Sequence, residues 1–578
     1  MQAQLRIKRV CFLQAGLSRT SYFVCIDSDH NGLNEIIFPT GTIYSSDPLR
    51  WEVWEYRPVN RYELVFADTG AYPYPPGITT GNFLPFDVGD IDRDSLIDLV
   101  GRNIEKALSS DTLYYIIETQ ESPNHNYYPE SLSWHYRLSS RGYGSTYYFT
   151  NDLDRDGRNE ILTFEEWDSF PNFRIAIFEN VSNNQNIPVW RHPSYGSGFT
   201  FGDFDRDSLK EFITANPGSS GQVYVYENTG PDQYQQIYDD TVNRANGSDV
   251  FSGNDLDGDG RPAFFVAFYS YPSAMNYLYM WKATGNNTYQ RTLIDQLTGG
   301  DWSDKRSMCD DIDGDGIDEV VWSIGGAVFV YKVTGNNQFQ RVWSWGNDHG
   351  GTLPTSVVNI YDMNNDGYKE IVVGGSGKTS IFEMEAIRVL SPNGGEIFHT
   401  DSNETIYWQT FHPPRCDSLS LFYSIDNGRT YQQIVHGLQS TDTSYVWTVP
   451  YVNSDSCKIK VITYGPGWQY DESDGVFSIT STGIEEHKIL GIKQLSLKIS
   501  PDIFRNQTTV NFSMPFTQRV SLKLYNIAGK LIKVLCNEEI GQGIYKISLN
   551  SKDLSSGVYF LTLQTTSKKI IERLVIVK

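Results

Sequence analysis

The residues best placed to do chemistry in this sequence are acidic, and they recur. The segments DSDHNGLNE (27–35), DIDRDSLID (90–98), DLDRDGRNE (152–160), DFDRDSLKE (203–211), DLDGDGRPA (255–263), DIDGDGIDE (311–319) and DMNNDGYKE (362–370) start 63, 62, 51, 52, 56 and 51 residues apart. Each follows D-x-[DN]-x-[DN]-[GS]-x-x-[DE]. The oxygen-bearing positions are Asp27, Asp29, Asn31 and Glu35; Asp90, Asp92, Asp94 and Asp98; Asp152, Asp154, Asp156 and Glu160; Asp203, Asp205, Asp207 and Glu211; Asp255, Asp257 and Asp259; Asp311, Asp313, Asp315 and Glu319; and Asp362, Asn364, Asp366 and Glu370. Oxygen-only side chains at positions one, three and five of a tight turn converge on one point, which suits a hard cation such as Ca²⁺. Gly at position six permits a positive φ. The acid at position nine and a backbone carbonyl near position seven would complete the shell.

The copies are unequal. Copies three and six match at every position and are expected to bind most tightly. Ser95 and Ser208 replace the glycine, Asn31 and Asn364 each replace an Asp, and Ala263 after Pro262 removes the acid from copy five, which is expected to be weakened. An EF-hand starts similarly but needs Glu at position twelve and flanking helices. Position twelve here is Phe38, Gly101, Thr163, Thr214, Val266, Trp322 or Val373, and strand-like runs such as EVVWSI follow, so that reading is rejected. Asp and Gly also favour solvated turns. Seven copies in phase argue against that simpler account, since several carboxylates packed in one turn repel one another.

The elements around the loops are strands. Copy four reads GFTFGDF, KEFITA, QVYVYEN and YQQIYDD; copy six gives RSMCDDI, DEVVWSI, AVFVYKV and FQRVWSW. Four short strands per period are the pattern of a propeller blade, and seven periods imply seven blades. The seventh period supplies three strands and stops near Ile387, so the N-terminal run at 4–13 is expected to complete blade seven, closing the ring and removing its exposed edges. These repeats resemble the FG-GAP/VCBS repeats of integrin α-subunit-like propellers over about residues 1–385. The resemblance implies that each acidic loop joins strands one and two and holds structural Ca²⁺. The opposite face would carry the long aromatic loops. There Tyr72, Tyr74, Trp167, Phe170, Tyr271 and Trp302 are candidates to stack on sugar rings or anchor a protein, or else simply to pack between blades.

Two smaller modules follow. Residues 386–480 contain about seven short alternating strands and read as an Ig-like β-sandwich; the segment resembles Ig-like spacer modules with a PNGGE start and a Ser424–Gly428 hairpin turn. Residues 481–490 are a polar linker. Residues 491–578 resemble the type A C-terminal sorting domain of the type IX secretion system in Ser500-Pro501, Tyr525-Asn526 with Gly529-Lys530, and Ser556-Gly557-Val558-Tyr559; Asp502-Ile503 stands where that family usually has Asn-Pro. The whole chain is therefore expected to be all-β: a seven-bladed β-propeller followed by two Ig-like β-sandwich domains.

Composition narrows the function. A net charge of −23 argues against a nucleic-acid partner, which wants a basic face. No run of about 18 apolar residues predicts a membrane helix. The start MQAQLRIKRVCFLQAG lacks a signal-peptide apolar stretch, so a signal is expected to have been removed or to lie outside the sequence. Of six cysteines, Cys416 and Cys457 are a candidate disulfide in an oxidising compartment. HExxH, GxSxG and Walker motifs are absent. The expected function is a secreted or cell-surface calcium-binding protein that recognises a glycan or protein ligand outside the cell and is exported by the type IX machinery. The alternatives are a calcium-dependent polysaccharide-degrading enzyme, with Glu165, Asp168 or Asp301 as its acids, and a structural surface-layer component.

Overall fold

The computed structural model describes residues 6–13, 23–40, 50–57, 61–67, 83–103, 113–118, 128, 131–137, 147–166, 173–194, 196, 198–216, 221–242, 246–270, 273–298, 306–324, 326–335, 337–346, 357–375, 378–411, 417–465, 468–480, 494–552 and 554–578. Every regular element among them is a β-strand. They fall into two compact units. The first spans Met1–Glu396, Asn403–Thr448 and Asp455–Ser478; the second comprises Ile397–Ser402, Val449–Ser454 and Ile479–Lys578.

The first unit contains seven four-stranded antiparallel sheets in succession. Sheet four shows the plan, with strands Phe199–Gly202, Glu211–Ala215, Gln222–Gly230 and Gln233–Thr241. The acidic segment is the connection between the first and second strands. The second strand is buried along its length, as it is at Glu319–Ile324 in sheet six. Such strands read as continuous apolar runs because neighbours cover both faces. The fourth strand alternates buried Tyr234 with exposed polar residues and forms the outer edge.

Sheet seven takes three strands, Val357–Tyr361, Glu370–Gly375 and Lys378–Met384, from the end of this series. Its fourth strand is Ile7–Leu13, paired antiparallel with Lys378–Met384 from Ile7 opposite Met384 to Leu13 opposite Thr379, with a bulge between Arg9 and Cys11. One apolar cluster joins sheet seven to sheet one through Val372 and Ile381 against Ile36 and Phe38. Similar clusters join sheets four and five through Phe204 and Phe264, five and six through Phe265 and Trp322, and six and seven through Val330 and Phe382. Each of these neighbouring pairs therefore buries apolar surface between its sheets, which is the main favourable term in assembling such units.

The acidic turns impose a backbone that side chains resist. Position six is left-handed in every copy, including Ser95 (φ 74°) and Ser208 (φ 79°). A non-glycine residue there costs about 1–2 kcal/mol, partly offset by the larger chain entropy that glycine loses on folding. Replacing Ser95 or Ser208 by Gly is expected to stabilise the protein by up to about 1 kcal/mol each. Denaturant unfolding at fixed calcium measures this, and a destabilised variant would show that the serine side chains hold the turn in another way.

After the seventh sheet, strands Ile387–Ser391, Asn403–Thr410 and Ser444–Thr448 form one sheet. Ser418–Ser424 pairs with Gln432–Leu438 on one side and Ser454–Tyr464 on the other in a second. Alternate residues of Ser454–Tyr464 are buried, so this sheet has one apolar face. Cys457 is buried on that face, while Cys416 lies outside the described residues. At the junction, Gln469 Nε2 donates to the Met384 carbonyl and Gln469 Oε1 accepts from Ala386 N–H.

In the second unit, Ser496–Ser500, Gln507–Met514 and Gly543–Asn550 make a three-stranded sheet. A five-stranded sheet is ordered Ile503–Phe504, Lys569–Ile576, Gly557–Thr565, Gln518–Asn526, Leu531–Ile540. Val510, Phe512, Leu522, Leu524, Leu561 and Leu574 belong to its core.

Candidate functional site

Each acidic loop is wound around its own carboxylates. In copy six, Asp311 Oδ1 and Oδ2 accept from the N–H groups of Asp315 (3.1 Å) and Gly316 (2.9 Å), and Asp315 Oδ1 accepts from Ile317 N–H (2.9 Å). The same pattern holds in copy seven from Asp362 and Asp366. Position four is left-handed as well, at His30, Arg93, Arg155, Arg206, Gly258, Gly314 and Asn365. Two left-handed residues within three positions fold the loop tightly, and in copies three and four positions one, three and five come together.

Position nine serves two roles. One carboxylate oxygen accepts the N–H of position two: Ser28 to Glu35 (2.6 Å), Leu153 to Glu160 (2.5 Å), Phe204 to Glu211 (2.7 Å), Ile312 to Glu319 (2.9 Å) and Met363 to Glu370 (2.6 Å). The other oxygen, Oε1, of Glu35, Glu160 and Glu211 is buried with no hydrogen-bond partner among the described residues. These side chains are at most 1% exposed. Leaving such an oxygen bare is costly unless something else satisfies it. Burial pushes the carboxyl up to about 8 in Glu35 and Glu160 and about 9 in Glu211, and the neighbouring Asp groups of each loop push the same way.

The carboxylate oxygens of Asp203, Asp205, Asp207 and Glu211 lie within 4.8 Å of one another, as do those of Asp152, Asp154, Asp156 and Glu160, of Asp27, Asp29 and Glu35, and of Asp90, Asp92 and Asp98. Ligands about 2.3–2.6 Å from a shared Ca²⁺ are at most about 4.6–5.2 Å apart, so these sets are of the right size. All members of these sets were anticipated from spacing.

Several contributors were not anticipated. Strand three places a residue directly opposite position nine. Glu35 faces Glu55, Asp98 faces Glu118, Glu160 faces Glu179, Glu211 faces Glu227 and Ala263 faces Lys282. Extending the registers of sheets six and seven by one pair sets Glu319 against Lys332 and Glu370 against Glu383. Glu179 and Glu227 each bury an unpartnered Oε2, and Glu179 forms a further cluster with Asp154 and Asp232. The turn between strands three and four of the following sheet also reaches in. Asn184 N–H donates to Asp92, Asp232 N–H to Asp154 and Asn287 N–H to Asp205, at 2.6, 2.7 and 2.6 Å. The signal was present in the sequence, since VYENTG (225–230) and VYKVTG (330–335) align at that strand-three position.

The loops also hold one another. Position four of one loop donates to the position-six carbonyl of the next, in Arg93 to Gly157 (2.5 Å), Arg206 to Gly260 (2.6 Å) and Asn365 to Gly32 (2.7 Å). Position eight donates backwards, in Asn159 to the Asp90 carbonyl (3.1 Å), Lys210 to that of Asp152 (2.8 Å) and Asn34 to that of Asp362 (2.6 Å). The pairs between copies seven and one run in the same sense as those between consecutive copies.

The aromatic candidates Tyr72, Tyr74, Trp167, Phe170, Tyr271 and Trp302 lie outside the described residues, as do Asp168 and Asp301; Glu165 is in the strand Glu160–Glu166 without a described side chain. At the other end of the chain, the residues singled out at 525–530 and 556–559 build turns. Asn526 Oδ1 accepts from Ala528 and Lys530 N–H around left-handed Gly529, Tyr559 Oη donates to the Ser555 carbonyl (2.9 Å), and Ser556 Oγ accepts from Lys578 N–H (3.0 Å).

Comparison with known proteins agrees at two places. Residues 311–373 match the FG-GAP-like repeat, and residues 502–577 match the secretion system C-terminal sorting domain. No curated protein matches the sequence. Among solved structures, the fibronectin(III)-like modules of Clostridium thermocellum CbhA align at 12% identity over 33% of this chain and 92% of theirs, with a TM-score of 0.13. The FN1–FN3 domains of chicken CNTN1 align at 10% identity over 45% and 97%, also at 0.13. Scores this low assign neither fold nor function. No helix among the described residues is long and apolar enough to cross a membrane. The C-terminal sorting domain implies passage through the type IX secretion machinery, and the protein that carries it is secreted or attached to the cell surface.

Proposed function

We propose that this is an exported calcium-binding propeller protein that recognises a glycan or protein ligand outside the cell. The observation that carries the recognition reading is the match of residues 311–373 to the FG-GAP-like repeat. In this reading the seven sheets are the blades of one ring over residues 1–385, residues 386–480 are an Ig-like spacer, 481–490 a linker and 491–578 the sorting domain. Support for closure comes from the pairing of Ile7–Leu13 with the last sheet and from the bonds between the seventh and first acidic loops. Support for calcium comes from the cation-sized oxygen sets and their buried, unpartnered carboxylate oxygens. In this reading the Ca²⁺ ions are structural, and recognition is assigned to the aromatic segments that carry Tyr72, Tyr74, Trp167, Phe170, Tyr271 and Trp302, since connecting segments on a scaffold often carry function.

The test combines glycan-array and protein-ligand screening with an assay for reducing-sugar or unsaturated product. Binding without turnover is expected, and Asp154→Ala should lower calcium content while leaving ligand selectivity intact. Turnover abolished by Asp168→Ala or Asp301→Ala would replace this reading with a polysaccharide-degrading enzyme.

A further inference from the structure

The seven acidic loops divide into two kinds according to one residue outside them. In sheet six, Lys332 projects from strand three into the loop. Its Nζ pairs with Asp313 Oδ2, stands 2.8 Å from Asp315 Oδ2 and 3.3 Å from Glu319 Oε1. In sheet five, Lys282 Nζ pairs with Asp257 Oδ1 and stands 2.9 Å from Asp259 Oδ2. Lys282 is only 9% exposed. Each ammonium thus touches positions three and five of its loop, the side chains that a cation in that loop would also need.

The equivalent strand-three residue is glutamate in the other sheets: Glu55, Glu118, Glu179, Glu227 and Glu383. At Glu55, Glu179, Glu227 and Glu383 a further carboxylate stands where the lysines bring an ammonium. In sheet four, Glu211 Oε1 and Glu227 Oε2 are buried and unpartnered beside Asp203, Asp205 and Asp207. Arginines approach two of these sets from the side. Arg57 pairs with Glu55, and Arg158 pairs with Glu179 while remaining 3.7 Å from Asp156. Neither inserts its charge among positions three and five in the way the lysines do.

We propose that the strand-three residue opposite position nine selects the occupant of each loop: glutamate marks a loop that takes a divalent cation, and lysine supplies its own ammonium in place of the metal. Loops five and six are then stapled within the chain and bind no calcium, leaving at most five metal sites of the seven loops. Copy six, the best match to the consensus, is metal-free on this account. The physical basis is competition for the same oxygens. A tethered ammonium pays no translational cost to enter the loop, and a Ca²⁺ ion must expel it into water while meeting its positive charge at close range.

This inference rests on the calcium reading above, and calcium counting on the full chain separates the two. Protein saturated with Ca²⁺ and then desalted should hold no more than about five ions per chain by elemental analysis. Asp205→Asn should lose one ion. Asp313→Asn should lose none. Lys332→Gln should gain one ion, and its melting temperature should become more dependent on added calcium than that of the parent. Loss of one ion in Asp313→Asn, or a folded Lys332→Gln that gains none, would overturn the selector while leaving calcium binding in place. If Lys332→Gln fails to fold, the Asp313→Asn count decides alone. A parent protein with no calcium and a melting curve indifferent to chelator would overturn both readings.

Discussion

Stripping calcium with excess chelator should lower the melting temperature by about 15 °C or more at neutral pH, and the loss should deepen as the pH is raised. A ligand that binds only the folded state contributes about 2.7 kcal/mol per site at a hundred times its Kd, and several such sites act on one unit. The pH trend follows from the position-nine acids. In the metal-free protein, burial first and the loop Asp groups second hold Glu35 and Glu160 at about 8 and Glu211 at about 9, against an ordinary value of 4.5. Between these limits the folded chain keeps protons that the unfolded chain has released. Stability therefore falls as pH rises from about 4.5 to about 9, with a ceiling of about 1.4 kcal/mol per pH unit for each such group. The metal-free protein should be most stable near pH 5. Calcium binding needs the deprotonated acids, so its contribution grows over the same interval and the loaded protein should show a flat or opposite trend. Melting curves from pH 5 to 9, with calcium and with chelator, measure both. A chelated protein that gains stability as pH rises would mean that the buried acids are ionised without a cation and that the loops are satisfied by some other means.

The carboxylates that converge in copies one to four were legible from sequence, because a turn with fixed geometry requires fixed residue types at fixed spacing. The strand positions were legible for the same reason: runs such as EFITA and EVVWSI are apolar throughout and have to be covered on both faces. The belt between loops was not. It uses side chains at positions four and eight that differ chemically from copy to copy, among them Arg93, Arg206 and Asn365 in one role and Asn34, Asn159 and Lys210 in the other. What they share is a donor reaching a backbone carbonyl, and backbone acceptors leave no mark on a sequence. The strand-three selector lies between these cases. Glu227 and Lys332 occupy visibly equivalent places in VYENTG and VYKVTG, yet their importance depends on a register that sets them against position nine of the loop, Glu211 and Glu319, 16 and 13 residues earlier. The sorting-domain motifs were legible as motifs, while their physical role, turn closure around Asn526 and Ser556, lies in hydrogen bonds to backbone N–H groups that any residue could supply.

Deleting residues 1–13 should be the most damaging small truncation in the first unit. Ile7–Leu13 is the outer strand of the sheet built by Val357–Tyr361, Glu370–Gly375 and Lys378–Met384, and it comes from the far end of that unit's sequence. Its removal leaves Lys378–Met384 as an open edge and takes away Leu13 from the cluster shared with Ile36, Phe38, Val372 and Ile381. Burial of one such side chain is worth about 1.5–3 kcal/mol, and Val10 and Cys11 pack against the same cluster. The edge matters as much as the area. A bare strand offers unpaired N–H and C=O groups to any other chain, so the truncated protein should also self-associate. A fall in melting temperature of about 10 °C, with dimers or larger species in light scattering, is the expected result. A synthetic peptide of residues 4–13 should reverse both changes by adding the strand back in trans, as extended peptides complete other open sheets. A peptide with Leu13→Asp should do so poorly, since it would place a charge where a 7%-exposed leucine packs. Truncated protein that remains monomeric and melts with the parent would show that the last sheet is stable with three strands, and the pairing of the two ends would then be incidental to holding the seven sheets together. Rescue by the peptide, by contrast, ties closure to that one strand, because nothing else in the experiment restores both the ladder and the apolar contact at once.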